Sequence, residues 1–250
     1  MNIEKSFTFP FEDKEWISKL GLGAVIGLVP ILNFAWSGYM VGIIRNVMNN
    51  VTEPLPTWDD LGKKFNDGLI LFGAGLVYAL PLLIVVCLPM GFLAVSGLLS
   101  GNSNFEDIAR TVGQAGGVLF SCLLCVFVLY ALALSMIYPA ILVMFSREGT
   151  FASCFKLQEA FNLISKNAAP FFTAWGLSLA AGLGVGLVIG VLNLFVGWIP
   201  CLGWIASLVL SLGSGVYITA VYAHLFGQFG TAAFGLLQPP PASPSLQEPT

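Results

Sequence analysis

The chain has 250 residues, of which 57% are hydrophobic and only 9% are charged. An ordinary soluble domain carries roughly 25% charged residues. So few charged residues cannot cover the surface of a protein of this size in water. The composition therefore excludes an ordinary soluble globular protein and indicates that lipid surrounds most of the chain. The formal net charge of −3 provides no basic surface for neutralising phosphates and argues against a nucleic-acid partner.

The first apolar part of the chain is interrupted in its middle. Residues 1–19 mix acidic and basic side chains, which predicts a segment at the membrane interface rather than a signal peptide. Residues 20–44 are then apolar except for a break that contains Pro30 and ends at Asn33. Each arm is shorter than the roughly 20 residues that cross the hydrocarbon core. We therefore predict a broken or re-entrant hairpin over 20–44.

Two further segments show the spacing of amphipathic helices that lie on the membrane surface. Over 57–68, Thr57 is expected to cap the helix, and Trp58 is expected on its apolar face at the level of the lipid headgroups. Over 151–166, apolar side chains such as Phe161 alternate with charged ones at helical spacing. Both segments are predicted to hold one face of the bundle in the interface.

The charged residues near the first of these segments have two interpretations. Arg45 could meet Asp59 and Asp60 at the cytoplasmic rim, in a salt-bridged latch that orders the hairpin. Alternatively, Arg45 is an ordinary positive-inside anchor, and the two acids only complement the dipole at the start of a surface helix.

Four apolar segments are each long enough to cross the bilayer. They are residues 69–99, 113–145, 168–199 and 202–236. If 20–44 returns to the side from which it entered, every Lys and Arg except Arg110 falls on one side of the membrane. Cytoplasmic flanks carry the excess of these residues, so we expect a cytoplasmic N-terminus and C-terminus in the cell membrane.

These elements together predict an all-α fold, a polytopic transmembrane helical bundle that forms a single domain over residues 1–236. It has about four full spans, a broken or re-entrant N-terminal hairpin and two interfacial amphipathic helices. The Pro-rich residues 237–250 cannot form a core and are predicted to be disordered.

A short phrase recurs in the two halves of the chain. Residues 27–35, which contain Pro30, resemble residues 197–205, which contain Pro200. One interpretation is a diverged internal repeat of the kind from which many transporters are built. The other, which we favour, is that Gly-x-x-Pro followed by Gly or Asn is simply the sequence of a tight helical turn.

Several blocks of the sequence follow a known pattern. They are Gly-Tyr at 38–39, Ile-Ile-Arg-Asn-Val at 43–47, Leu-Pro-Thr-Trp-Asp-Asp-Leu-Gly at 55–62, Phe-Asn-Asp-Gly-Leu at 65–69 and Tyr-Ala-His-Leu-Phe-Gly-Gln at 222–228. With these blocks the chain resembles the family called domain of unknown function 4013 (DUF4013) over roughly residues 5–230. The resemblance implies a bacterial or archaeal multi-pass membrane protein without an assigned activity, and it transfers no catalytic residues.

Two sets of residues in the later spans are candidate sites. His224 is the only histidine and has Gln228 one turn further on. It is either a functional group at membrane depth or, as we favour, a structural one that hydrogen-bonds a backbone carbonyl. Gly182, Gly186 and Gly190 share one helix face, which allows another helix to approach closely. That helix belongs either to this chain, which we favour, or to a second copy in a homodimer.

The sequence contains no catalytic motif. It shows no nucleophile with a base, no intramembrane carboxylate pair and no phosphate-binding loop. Cys122-x-x-Cys125 lacks the two further ligands that zinc requires, so no metal or other cofactor is expected. We therefore expect that the protein is not an enzyme.

Two functional hypotheses remain. The first is a non-catalytic scaffold or accessory subunit of a membrane complex, whose partners are membrane lipids and either other membrane proteins or further copies of the chain. The second is a permease or handler of lipid or another apolar small molecule, which the broken hairpin favours. Charged cargo is disfavoured because residues 69–99 and 113–145 contain no Asp, Glu or Arg.

Overall fold

A computed structural model describes residues 1–99, 105–200 and 202–236 of the chain. Within these residues all regular secondary structure is helical. The elements are α1 (Ile3–Glu12), α2 (Trp16–Leu28), α3 (Asn33–Met48), α4 (Leu61–Leu99), α5 (Phe105–Glu148), a 3₁₀ helix (Phe151–Phe155), α6 (Leu157–Lys166), α7 (Ala168–Val196) and α8 (Leu202–Ala233). The predicted helical bundle is therefore confirmed. The predicted disordered tail at 237–250 lies outside the described residues.

In the described part of the chain, four helices contain a stretch that is long and apolar enough to cross a membrane. These stretches are Leu61–Ile84, Ser121–Glu148, Ala168–Val196 and Leu202–Ala233. Each overlaps one of the four apolar segments expected from the sequence. The protein is a multi-pass membrane protein on this evidence.

The predicted surface helix over 57–68 is wrong. Residues 61–68 are instead the first turns of α4 and continue without a break into the apolar stretch. The Asp60 side chain, rather than that of Thr57, accepts a hydrogen bond from a backbone N–H of the first turn, that of Lys63, at 3.2 Å. The physical reason is packing: Gly68 is buried against α3, and this contact fixes the direction of α4 from its start.

The predicted helix over 151–166 is also wrong in part. The chain forms the 3₁₀ helix first, turns at Lys156, and then forms α6. The Tyr78 hydroxyl donates a hydrogen bond of 2.6 Å to the backbone carbonyl of Cys154, so this carbonyl is held by α4 instead of serving a continuous helix. Cys154 of the 3₁₀ helix is buried, whereas Phe161 of α6 is 64% exposed.

The buried core lies at one end of the bundle and surrounds α3. Tyr39, Ile43 and Ile44 of α3 are completely buried. They belong to one apolar cluster with residues 140–145 of α5 and several residues between 216 and 229 of α8. The far half of α7, in contrast, is lined by exposed apolar side chains. The buried core of the described residues thus lies at one end, although α7 and α8 also contact each other near the other end through Asn193 and Ser211.

Glycines bring α3 into backbone contact with its neighbours. A Cβ at Gly38 would collide with the Lys64 backbone, and a Cβ at Gly68 would collide with the Phe34 carbonyl. On the other side of α3, a Cβ at Gly227 of α8 would lie 2.6 Å from the Cβ of Val47. Small residues at these crossings allow the helices to approach closely enough for extensive van der Waals contact.

Replacing Gly68 by Ala is expected to destabilise the protein by about 2 kcal/mol or more, because the new methyl group would force α3 and α4 apart. The control is Gly75→Ala in the same helix, where a Cβ would meet nothing within 4 Å. That change is expected to be neutral or slightly stabilising because Ala favours helix. Thermal unfolding in detergent tests both variants, and equal melting temperatures for the two would contradict the close contact.

Candidate functional site

The break in the N-terminal hairpin lies between α2 and α3. Val29 ends α2 and Pro30 follows it. The backbone N–H of Asn33 donates to the Val29 carbonyl at 2.9 Å, so the chain turns tightly and re-enters a helix at once. The structure therefore contains a broken helical hairpin in this region. Whether the hairpin returns to the side of its entry stays a prediction.

The Asn33 side chain lies between two cavities. One, of about 260 Å³, is an open cavity between α2, α3 and α8 that is lined by Trp36, Ser211 and Thr219, among others. The other, of about 500 Å³, lies between α3, α4 and α5 and is lined mainly by aromatic and small residues, including Tyr138. Asn33 lines both, and its side-chain amide forms no hydrogen bond with any described residue. This is the position at which the hairpin offers an unpaired polar group to a ligand.

Three stacked aromatic rings hold the hairpin against the start of α4. Tyr39 stacks on Trp58 with ring centroids 4.6 Å apart and on Trp36 at 5.2 Å. The Trp58 indole N–H also donates to the Lys19 carbonyl at 2.7 Å. Trp58 is thus part of the protein's packing and docks the turn before α4 onto α2 and α3.

A buried ion pair lies close to this stack. The Lys19 ammonium contacts the Asp13 carboxylate at 2.6 Å, and both side chains are more than nine-tenths buried. The buried Tyr39 hydroxyl has no hydrogen-bonding partner among the described residues. Burial raises the pKa of Tyr39, and the negative charge of Asp13 raises it further, so the phenol stays protonated.

Arg45 pairs with an acid that the sequence analysis did not single out. Its guanidinium contacts the Asp67 carboxylate at 3.3 Å and donates through Nε to the Ser146 carbonyl at 2.9 Å. The predicted latch with Asp59 and Asp60 is wrong, because α4 begins at Leu61 and Asp60 caps it. The pair that forms instead ties α3 to α4 and α5.

The only acidic residue within α4 is Asp67. A carboxylate in a membrane-associated helix is expected to have a named partner, and Arg45 is the only arginine in α3. The sequence therefore contained enough information to predict that Asp67 pairs with Arg45. This pairing was missed because residues 57–68 were predicted to form a separate surface helix, which placed Asp67 outside the spans.

Asp67→Asn is expected to lower the free energy of unfolding by about 2 kcal/mol, since it leaves the partly buried Arg45 charge without its counter-ion. Asp59→Asn removes the same charge from an exposed position that forms no ion pair within 4 Å, and it is expected to have little effect. Chemical unfolding in detergent compares the two. An equal decrease in the free energy of unfolding for the two variants would show that the Arg45–Asp67 pair contributes only through net charge.

His224 and Gln228 hold the N-terminal helix rather than a carbonyl within the bundle. His224 Nδ1 lies 3.0 Å from the Ser6 hydroxyl, and the ring stacks on Phe9 with centroids 4.4 Å apart. Gln228 accepts from the Asn2 N–H at 2.6 Å and donates to the Asn2 carbonyl at 2.9 Å. The prediction of a backbone carbonyl as the partner of His224 is therefore wrong. The sequence offered no signal for Ser6.

The second Pro phrase also lies in a turn. Pro200 falls between α7 and α8, where the Gly197 N–H donates to the Asn193 carbonyl at 2.8 Å. Asn193 donates from its side chain to the Ser211 hydroxyl at 3.3 Å, and this links α7 to α8. Both Pro phrases thus form helical turns, while the existence of a true repeat stays a prediction.

The glycine face of α7 packs against none of the described residues. A Cβ at Gly182, Gly186 or Gly190 would meet nothing within 4 Å. Within the described part of the chain, the favoured interpretation of an internal helix contact is therefore wrong. The close contacts occur at Gly38, Gly68 and Gly227, where the buried core is.

Metal-ligating side chains are not grouped in the described residues. No cluster of three or more His, Cys, Asp or Glu occurs there. Cys122 and Cys125 are exposed, and Cys154 is buried within the 3₁₀ helix. Cys201 lies outside the described residues.

The comparisons with known proteins identify a family. The model of a family described as a protein of unknown function (DUF4013) matches residues 22–194. The chain belongs to this family. The match includes the hairpin and the Arg45–Asp67 pair but ends before His224, so the similarity expected around 222–228 falls outside it. No curated protein and no solved structure matches this member of DUF4013.

Proposed function

We propose that this DUF4013 protein is a non-catalytic scaffold or accessory subunit of a membrane complex. In this proposal it lies in the cytoplasmic membrane of a bacterial or archaeal cell, with both termini in the cytoplasm. Its partners are membrane lipids and either another membrane protein or a second copy of the chain, with no role for nucleic acid.

The open face of α7 carries this proposal. The buried residues of α7 are Phe171 and Ala174, both in its first two turns, and none of its most apolar stretch is buried. Gly182, Gly186 and Gly190 expose backbone along one side of that stretch. A glycine-rich face offers little side-chain surface to lipid, but it allows another helix to pack at close range. This supports a helix-packing role within the bilayer.

The orientation rests on the positions of the cations. The Lys and Arg residues lie in the N-terminal segment, around α3 and the start of α4, and around α6, with Arg110 apart from them. These elements surround the packed end of the bundle, which is the end expected to face the cytoplasm.

Gly186→Ile tests the scaffold role. Native mass spectrometry of gently extracted wild-type protein is expected to retain a second copy or another membrane protein. We expect the variant to lower the retained fraction about tenfold, because the side chain blocks close helix contact. Gly184→Ile is the matched control: it makes the same change on the opposite side of α7, where a Cβ also meets nothing. A bare wild-type monomer, or an equal loss in both variants, would contradict the proposal.

A second candidate function is the handling of lipid or another apolar small molecule. The exposed, unpaired amide of Asn33 between two cavities favours it, because this group is free to donate to a ligand and to accept from it. The long helices beside these cavities carry apolar residues, so the cargo that fits is an acyl chain with a hydrogen-bonding end.

Asn33→Leu tests this second function. A lipid with a photoreactive acyl chain is expected to label the lining of these cavities in wild-type protein. The variant is expected to reduce this labelling severalfold, since it removes the only amide that both cavities share. Asn162→Leu, at an exposed position on α6, serves as the control. Peptide mapping by mass spectrometry provides the measurement, and unchanged labelling in Asn33→Leu would count against the idea.

A further inference from the structure

A separate cavity lies at the packed end of the bundle, where α1, the residues after α3 and the last turns of α8 meet. Its volume is about 510 Å³, which is within the range of small-ligand sites. Its lining includes the polar side chains of Lys5, Asn50, Thr52, His224 and Gln228.

The charged side chain that lines this cavity is positive. Lys5 is the charged residue among its lining residues, and none of these, all within the described part of the chain, is acidic. Glu4 and Glu53 are close in sequence but do not line it. The Lys5 ammonium forms no ion pair or hydrogen bond with any described residue. The cavity therefore has a positive potential that an anion would neutralise.

The His224 ring is a second polar group in the lining. The residue is only 3% exposed, and its Nε2 forms no hydrogen bond with any described residue. The side-chain amide nitrogen of Gln228 lies 3.1 Å from Nδ1. The same amide nitrogen also donates to the Asn2 carbonyl at 2.9 Å and to the Ser6 hydroxyl at 3.0 Å, so Nδ1 belongs to the hydrogen-bond network that joins α1 to α8. Nε2 is the ring nitrogen that remains for a ligand.

The loop after α3 completes the set of donors. Asn50 has a positive φ of 55°, a conformation that Asn tolerates, and this turns the chain over the cavity. Its amide nitrogen is held only by a long bond of 3.4 Å to the Leu236 carbonyl. The Thr52 hydroxyl has no partner among the described residues. The donors of Lys5, Asn50 and Thr52, together with the His224 ring, thus line a space without a carboxylate.

We propose that this cavity binds a phosphate group, either in the headgroup of an anionic lipid or in a soluble phosphate ester. Phosphate offers several acceptor oxygens and a negative charge, which match this donor set. The position also fits a lipid source, since basic pockets on the cytoplasmic side of helical bundles bind anionic headgroups. This inference goes beyond the scaffold role and does not depend on it.

The test measures lipid retention by the full-length protein. Native mass spectrometry compares phosphatidylglycerol with phosphatidylcholine that carries the same acyl chains. The wild-type protein is expected to retain one phosphatidylglycerol in clear preference to phosphatidylcholine. Lys5→Gln is expected to weaken this retention about fivefold, as is typical for the loss of one cation near an anionic headgroup. Thr52→Val changes an exposed loop residue and is expected to weaken it in the same direction.

Lys14→Gln is the matched control, because Lys14 lies in the same N-terminal segment, is exposed and does not line the cavity. It is expected to leave retention unchanged. Glycerol phosphate added as a competitor separates the two sources. Displacement of the lipid supports a site open to soluble phosphate esters, and no displacement supports a lipid site. Equal retention of both lipids without any effect of glycerol phosphate, or an equal loss in Lys14→Gln, would overturn the proposal.

Discussion

The close approach of α3 to its two neighbours is the constraint on which the rest of the structure depends. At Gly38 and Gly68, α3 and α4 cross with their backbones in contact, and Gly227 allows the same on the α8 side. In a bilayer the hydrophobic effect does not drive helices together, so van der Waals contact and hydrogen bonds between helices must stabilise the bundle. The helix that follows the hairpin break is α3, which is too short to be expected to span the membrane. It nevertheless forms the centre of the packed end.

This arrangement also determines where polar groups can lie. With α4 fixed against α3 from its first turns, Asp67 faces Arg45, and the guanidinium reaches the carbonyl of Ser146. The same packing leaves Asn33 at the edge of α3, between cavities on its two sides. The apolar length of α7 packs against α8 but is not buried, which distinguishes the packed end from an exposed apolar end.

The sequence predicted the class of fold because length and hydropathy alone determine which segments can cross a bilayer. It also predicted the two turns, since proline and glycine act locally at Pro30 and Pro200. The residue at which α4 begins could not be predicted from such local signals. Asn66-Asp67-Gly68 favours a turn, but burial of Gly68 against Phe34 overrides this local preference. The glycines of α7 led to the opposite error, since they predicted a contact that the described residues do not make. A face of small residues indicates that close helix contact is possible, but it does not indicate which helix makes that contact.

The bonds between Asn2 and Gln228 also constrain the order in which the protein is completed. The two residues are 226 positions apart, and α8 supplies the hydrogen bonds and the ring against which α1 packs. A chain emerges from the ribosome N-terminus first. The amphipathic α1 therefore leaves the ribosome long before its docking surface exists and must wait at the membrane surface until the final helix is inserted. Completion of the last span is thus the event that closes the fold.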